Sequence, residues 1–180
     1  MSAPMTETTT PEPLRAAVLE VETHASEAGW DQPGRLYALV PTSDLLSREP
    51  ALAAAMGLDA AAAGGLTPVE QDDVPVDVPL ETTLREIMWP AEVFGCAAVV
   101  ERLVLPPDAD GELPPDPEVA KQYAAEHPDR QEVRIVAAAT RDGSTYCALR
   151  MRSHDDPQAV MQAPDLVPAL LELLRDTLEN

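Results

Sequence analysis

Residues 132–152 read EVRIVAAATRDGSTYCALRMR, the pattern of a β-hairpin turning at Arg141-Asp142-Gly143. With Gly143 in the left-handed third position of a three-residue loop, Thr140 stands opposite Ser144. Ala137 then pairs with Cys147, Ile135 with Leu149 and Val133 with Met151, which gathers that apolar set on one face. The other face carries Arg134, Val136, Ala138, Tyr146, Ala148, Arg150 and Arg152. A two-residue loop would pair Ile135 with Arg150 and mix the faces, so the side-chain pattern selects the longer loop. The hairpin predicts an antiparallel sheet with one buried side, Leu149 and Met151 inside and Arg150 and Arg152 outside.

Working outward, residues 93–105 form a second strand whose two faces are both apolar as far as Val100, the mark of a central strand covered on both sides. Residues 35–40 read as a short strand closed by Pro41. A first helix spans residues 13–28: Leu14, Ala17, Val18, Val21, Ala25 and Ala28 recur at helical spacing and Gly29 stops it. Short helices are expected from Ser43, from Pro50 and from Leu80 to Met88. Residues 57–79, with paired glycines, prolines and five acids, read as a surface excursion in which residues 60–63 could hold a helical turn. A Pro-rich acidic loop at 106–117 precedes a helix at 118–126. The last helix, 166–178, places Val167, Leu170, Leu171, Leu174 and Leu178 in one stripe, with Asp165 expected as its cap. This order implies an α+β class: an antiparallel sheet of about four strands packed against the N- and C-terminal helices, with additional short helices between strands. Residues 1–11 are expected to be a disordered tail and 12–180 a single domain.

The formal charge is −20, from 12 basic and 32 acidic residues. Such a balance argues against nucleic acid and anionic membrane surfaces, where affinity comes from neutralising phosphates. The opening residues carry neither positive charge nor an apolar stretch, unlike a signal peptide. No apolar run approaches membrane-spanning length, so a cytoplasmic location is expected. Cys96 and Cys147 lie in apolar strands and are expected as reduced core thiols, with a cross-strand disulfide as the alternative.

Motifs that carry chemistry are missing from the sequence. Gly64-Gly65-Leu66-Thr67 lacks the lysine and spacing of a phosphate loop, and no serine lies in a nucleophile elbow. In Asp108-Ala109-Asp110-Gly111-Glu112 the glycine comes too early for a calcium loop, and Val119 stands where the bidentate Glu belongs. Glu20 and His24 are four apart on the first helix, but two ligands do not make a metal site. His154-Asp155-Asp156 could orient an imidazole, with His127 as a further histidine; a polar turn after the strand explains it equally. No catalytic residue, metal or cofactor is therefore assigned.

The arginines stand out. Arg134, Arg150 and Arg152 share one side of two neighbouring strands, and Arg35 and Arg102 are placed to join from others. Opposed arginines repel, so counter-charge must lie close. It comes either from acids on adjoining helices and from Glu101 and Glu132, or from a bound anion or an acidic partner segment. With Trp30, Tyr146 and His154, these residues form the candidate binding set.

Several stretches together resemble a family of small, acidic, uncharacterised actinobacterial proteins: Gly29-Trp30-Asp31-Gln32-Pro33 running into Arg35-Leu36-Tyr37, Leu66-Thr67-Pro68-Val69-Glu70-Gln71, Trp89-Pro90, Val99-Val100-Glu101-Arg102, His127-Pro128-Asp129-Arg130, and Arg141-Asp142-Gly143 leading to Cys147-Ala148-Leu149-Arg150. The resemblance covers residues 12–178 and implies no activity, cofactor or partner. A fainter, fold-level resemblance is to small α+β domains of the secretion-chaperone-like class, which often pair; the helices between residues 43 and 90 depart from it. The resulting expectation is a cytoplasmic, non-enzymatic protein-interaction or chaperone-like module, with a second copy or another protein as partner. The alternative is a small-molecule or anion-binding domain using the arginine-lined face.

Overall fold

The hairpin forms in the expected register. Strands β4 (Gln131–Thr140) and β5 (Thr145–Met151) pair Val133 with Met151, Ile135 with Leu149 and Ala137 with Cys147. Gly143 has φ 86°, which a side chain would strain, and Thr140 N–H donates to the Ser144 carbonyl. The computed structural model describes residues 11–59, 64–72, 74–75, 77–104, 115–126 and 130–179. Residues 1–10 of the expected tail, the helical turn at 60–63, the calcium-like loop at 108–112 and His127 lie outside them.

The sheet has six antiparallel strands rather than four. Its order is β2-β1-β3-β4-β5-β6, with β1 at Arg35–Pro41, β2 at Leu66–Glu70, β3 at Gly95–Val104 and β6 at Met161–Ala163. Both additional strands lie at edges, where little in the sequence marks them. Pro68 interrupts β2, which an outermost strand tolerates because the missing N–H can face away from the ladder. β6 is only three residues long.

Helix α1 (Glu12–Ala28) covers one face, burying Leu14, Ala17, Val18, Val21 and Ala25 against Tyr37, Leu39, Ala97, Val99, Val136, Ala138, Tyr146 and Ala148. The other face lies under α6 (Pro168–Leu178) and α4 (Leu80–Leu84), where Leu170, Leu171, Leu174 and Leu178 meet Cys96, Ala98, Val100, Ile135, Ala137 and Cys147. Helices α2 (Thr42–Arg48), α3 (Pro50–Ala55) and α5 (Pro117–Glu126) fall where the punctuation placed them. Two ends differ from expectation: α4 stops at Leu84, leaving Met88 69% exposed, and Val167 rather than Asp165 holds the α6 N-cap, without a side-chain bond.

The sheet therefore has two buried faces, which overturns the expectation of one. A face bearing Val136, Ala138, Tyr146 and Ala148 with arginines at one end is apolar enough to bury, provided the charged end finds partners. Arg134 and Arg150 are 1% and 5% exposed, whereas Leu149 and Met151 are only half-buried. Only Arg152 is exposed as expected.

Two positions show how closely the sheet packs. A Cβ on Gly95 would stand 2.6 Å from the Ala139 carbonyl oxygen and 2.8 Å from Thr140 Cγ2. The carbonyl belongs to a central strand and has no room to retreat. Gly95→Ala is expected to lower stability by about 1–3 kcal/mol in urea denaturation, and an unchanged midpoint would contradict this approach. Cys96 sits opposite Ala139 on β4 and Cys147 opposite Ala137, so β4 separates the two thiols. Both are free and buried, which removes the cross-strand disulfide alternative. Burial pushes the Cys96 thiol up to about 11 and raises that of Cys147 as well.

Candidate functional site

At the end of the sheet reached by the C-terminus of α1, the apolar rows give way to Glu101, Arg134 and Arg150, which lie side by side on β3, β4 and β5. Helix α1 ends at Gly29 and has no basic residue in its last turn. Arg134 supplies that cation from the sheet. Its guanidinium donates to the Gly29 carbonyl at 2.7 Å and to Ser26 Oγ at 3.4 Å, where the helix dipole leaves unsatisfied carbonyls. Trp30 lies over the same group, its ring centroid 4.4 Å from the Arg134 guanidinium carbon and 5.6 Å from that of Arg152.

Arg150 bonds Glu22 of α1 at 2.5 Å and Asp155 at 3.0 Å, and Asp155 also accepts from the Trp30 indole at 3.1 Å. Arg152 takes both oxygens of Asp31, at 2.9 and 3.1 Å, and reaches Glu132 at 2.7 Å. Asp31 has φ 64°, a left-handed conformation held in place by Glu101, whose two carboxylate oxygens accept from the Asp31 and Gln32 backbone amides at 2.8 and 2.7 Å. Counter-charge thus comes from α1, from the loops and from Glu132, while Glu101 anchors the loop that carries Trp30.

The electrostatics follow from these contacts. Hydrogen bonds from Arg150 and Trp30 hold the Asp155 carboxyl below its usual 3.8, and Arg152 does the same for Asp31. A carboxylate with a depressed folded pKa contributes stability that is present above the unfolded value and lost as pH falls through the folded one. Asp155→Asn is therefore expected to be less stable than the parent at neutral pH, the gap closing as pH drops below 3.8. Acid titration of unfolding by circular dichroism checks this; a gap that persists at the acid end would mean the effect is not ionic.

The remaining candidates lie apart. Arg35 reaches Glu70 at 3.8 Å and Gln32 at 3.5 Å, on the same face but nearer β2. Arg102 pairs with Glu81 on the opposite face, under α4. Tyr146 lies two rows from Arg150 and donates to Gln162 at 2.9 Å. His154 is exposed, with Nδ1 3.0 Å from Ser153 Oγ. Ser153 Oγ also donates to Gln131 Oε1 at 3.0 Å. Asp155, the expected orienter of that imidazole, is committed to Arg150 and Trp30.

A second feature lies on the outer side of α1. Between the helix and the β1–β2 edge runs a cleft of about 480 Å³, lined by Glu20, Thr23, His24, Glu27, Tyr37 and Glu70 among others. Tyr37 is the register partner of Glu70, and its ring meets His24 edge-on with centroids 6.5 Å apart. Burial raises the pKa of the Tyr37 hydroxyl, opposed by the hydrogen bond and charge of the neighbouring Arg35. Among the described residues no three His, Cys, Asp or Glu side chains are placed to hold a metal ion, and no helix is long and apolar enough to cross a membrane.

The family described as PPA1309-like protein matches residues 14–179. The chain belongs to that family. The PPA1309-like family is uncharacterised and supplies no activity or site residue. No curated protein and no solved structure matches the chain.

In this PPA1309-like chain the structure brings Trp30, Arg134, Arg150 and Arg152 of the candidate set together, and it adds a cleft that the sequence pattern did not indicate. A signal was present: Glu20, His24 and Glu27 lie on successive turns of one helix face. Their partner Glu70 was hidden because Pro68 disguised β2 as a loop.

Proposed function

We propose that the protein is a cytoplasmic, non-enzymatic interaction module whose partner presents a basic surface. The observation that carries this reading is the internal commitment of the sheet and hairpin arginines. Arg134 and Arg150 are buried, Arg141 is bound to backbone carbonyls, and Arg35, Arg102 and Arg152 are paired with acids. With 12 basic residues against 32 acidic ones, the field outside is negative. Such a field steers cationic partners and repels anionic ones. The arginine-lined face would have to release Glu22, Asp155, Asp31 and Glu132 before it could receive an external anion. A second copy carries the same negative charge, so self-association is a separate reading, carried by the open β6 edge where Met161 is half-exposed, and light scattering on the same sample reads it.

Fluorescence anisotropy with a labelled lysine- and arginine-rich decapeptide, an acidic decapeptide and inorganic phosphate as competitor tests the charge preference. Saturable one-to-one binding of the basic peptide that weakens with salt is expected. Binding of the acidic peptide, or of phosphate in place of the basic peptide, would overturn it.

A further inference from the structure

We propose that the pocket between the start of α1, the β1–β2 corner and the hairpin turn receives a bulky apolar side chain of the partner, with a neighbouring lysine or arginine set against Asp142. This rests on the basic-partner reading above and gives that partner a place to dock. The pocket has a volume of about 370 Å³, within the range of sites that enclose a ligand group. Pro13, Leu14, Pro41, Leu66 and Phe94 form its walls, and Asp142 is the one charged side chain on it among the described residues. Leu14 is 1% exposed whereas Asp142 is open to solvent, so the pocket is apolar within and negative at its rim.

The charge decides which apolar group fits. Thr140 Oγ1 and the Ser144 backbone amide, the latter at 3.2 Å, both donate to Asp142 Oδ1, which fixes the carboxyl and holds its pKa below the usual 3.8. Both donors are neutral, so the carboxylate keeps its full charge at neutral pH. No cation answers it among the described residues: Arg15 pairs with Glu12, and the adjacent Arg141 turns to backbone carbonyls. A hydrophilic cation would leave the apolar walls wet, and an apolar group alone would leave the rim charge unmatched. A side chain of the first kind beside one of the second satisfies both, and the field of a chain with charge −20 draws it in. Pro11, Pro13 and Pro41 are rigid, so this side of the pocket is ordered before the partner arrives and little freedom is lost on binding.

The test is NMR titration of the full chain at neutral pH with acetyl-Gly-Phe-Lys-Gly-amide, beside peptides carrying glutamine in place of lysine or glycine in place of phenylalanine. Saturable shifts are expected at the Leu14, Leu66, Phe94 and Asp142 amides, with both control peptides weaker. Asp142→Asn keeps an acceptor oxygen and suits the turn. It is expected to weaken the Phe-Lys peptide about fivefold, to the level of the Phe-Gln peptide, and to leave the latter unchanged. Ser43→Trp, at an exposed rim position, is expected to block both phenylalanine peptides. If the basic decapeptide binds one-to-one but the Phe-Lys peptide leaves these amides still, or Asp142→Asn changes nothing, the pocket assignment is overturned while the basic-partner reading stands. If the same amides move on dilution of the free protein, a second copy fills the pocket; if they move in Met5→Gln, residues 1–10 fill it; either result overturns the assignment. If neither the decapeptide nor the Phe-Lys peptide binds, both readings fall.

Discussion

Arg150→Met is expected to destabilise the fold by about 3–5 kcal/mol, because it strands Glu22 as an unpaired charge beneath α1. The two side chains are 7% and 3% exposed, the least accessible ion pair in the molecule among the described residues. Glu22 Oε2 and Arg150 Nε already lack partners, so the pair has no spare bonds to absorb a loss. Replacing both partners, as in Glu22→Leu with Arg150→Met, should recover much of the deficit, since two apolar groups need no counter-charge. Arg152 offers the contrast. It makes as many carboxylate contacts but sits at the surface, and Arg152→Ala should cost far less than Arg150→Met. Urea denaturation of Arg150→Met, Glu22→Leu, the double variant and Arg152→Ala measures all of this. A mild Arg150→Met, or a double variant worse than either single, would show that burial does not govern the pair.

A loss of about 2–4 kcal/mol is expected for Arg141→Ala, through a different mechanism. Arg141 belongs to the hairpin turn, yet its guanidinium reaches well beyond it. It donates to the Val93, Leu178, Trp89 and Pro90 carbonyls at 2.8, 2.5, 3.1 and 2.9 Å. One residue thus neutralises the C-terminal carbonyl end of α6 and fastens the segment leading into β3. Trp89 N–H also bonds to the Thr177 carbonyl, so helix, loop and turn share one junction. Arg141→Lys should recover only part of the loss, because a single ammonium does not span the four oxygens. Equal stability of the lysine and arginine forms would mean that charge, not the fork of donors, carries the junction.

The legible parts of the fold were those where local pattern and burial agree. Alternation in 132–152 and turn chemistry at Gly143 gave the hairpin register; leucine spacing gave α6; the doubly apolar run ending at Val100 gave a central strand. Edges were not legible. β2 contains a proline and β6 is too short for alternation to be read. The burial of Arg134 and Arg150 was missed for another reason. A charged residue reads as exposed unless its partners are known, and Glu22 and Asp155 are far away in sequence or in a turn. The arginine cluster was therefore found as a set and misjudged in its surroundings, and the cleft awaited a strand that the sequence disguised.

The strand order bears on how the chain reaches this state. From β3 to β6 each strand lies beside its successor, so that portion can assemble by closing comparatively short loops. β1 instead pairs with β3 across a long intervening stretch, as Leu39 does with Gly95. On loop-closure entropy the meander is the expected nucleus, and docking of β1 with α1 the expected later step. Until it docks, Arg134 and Arg150 stand without their α1 contacts, so closing the arginine row marks the end of folding.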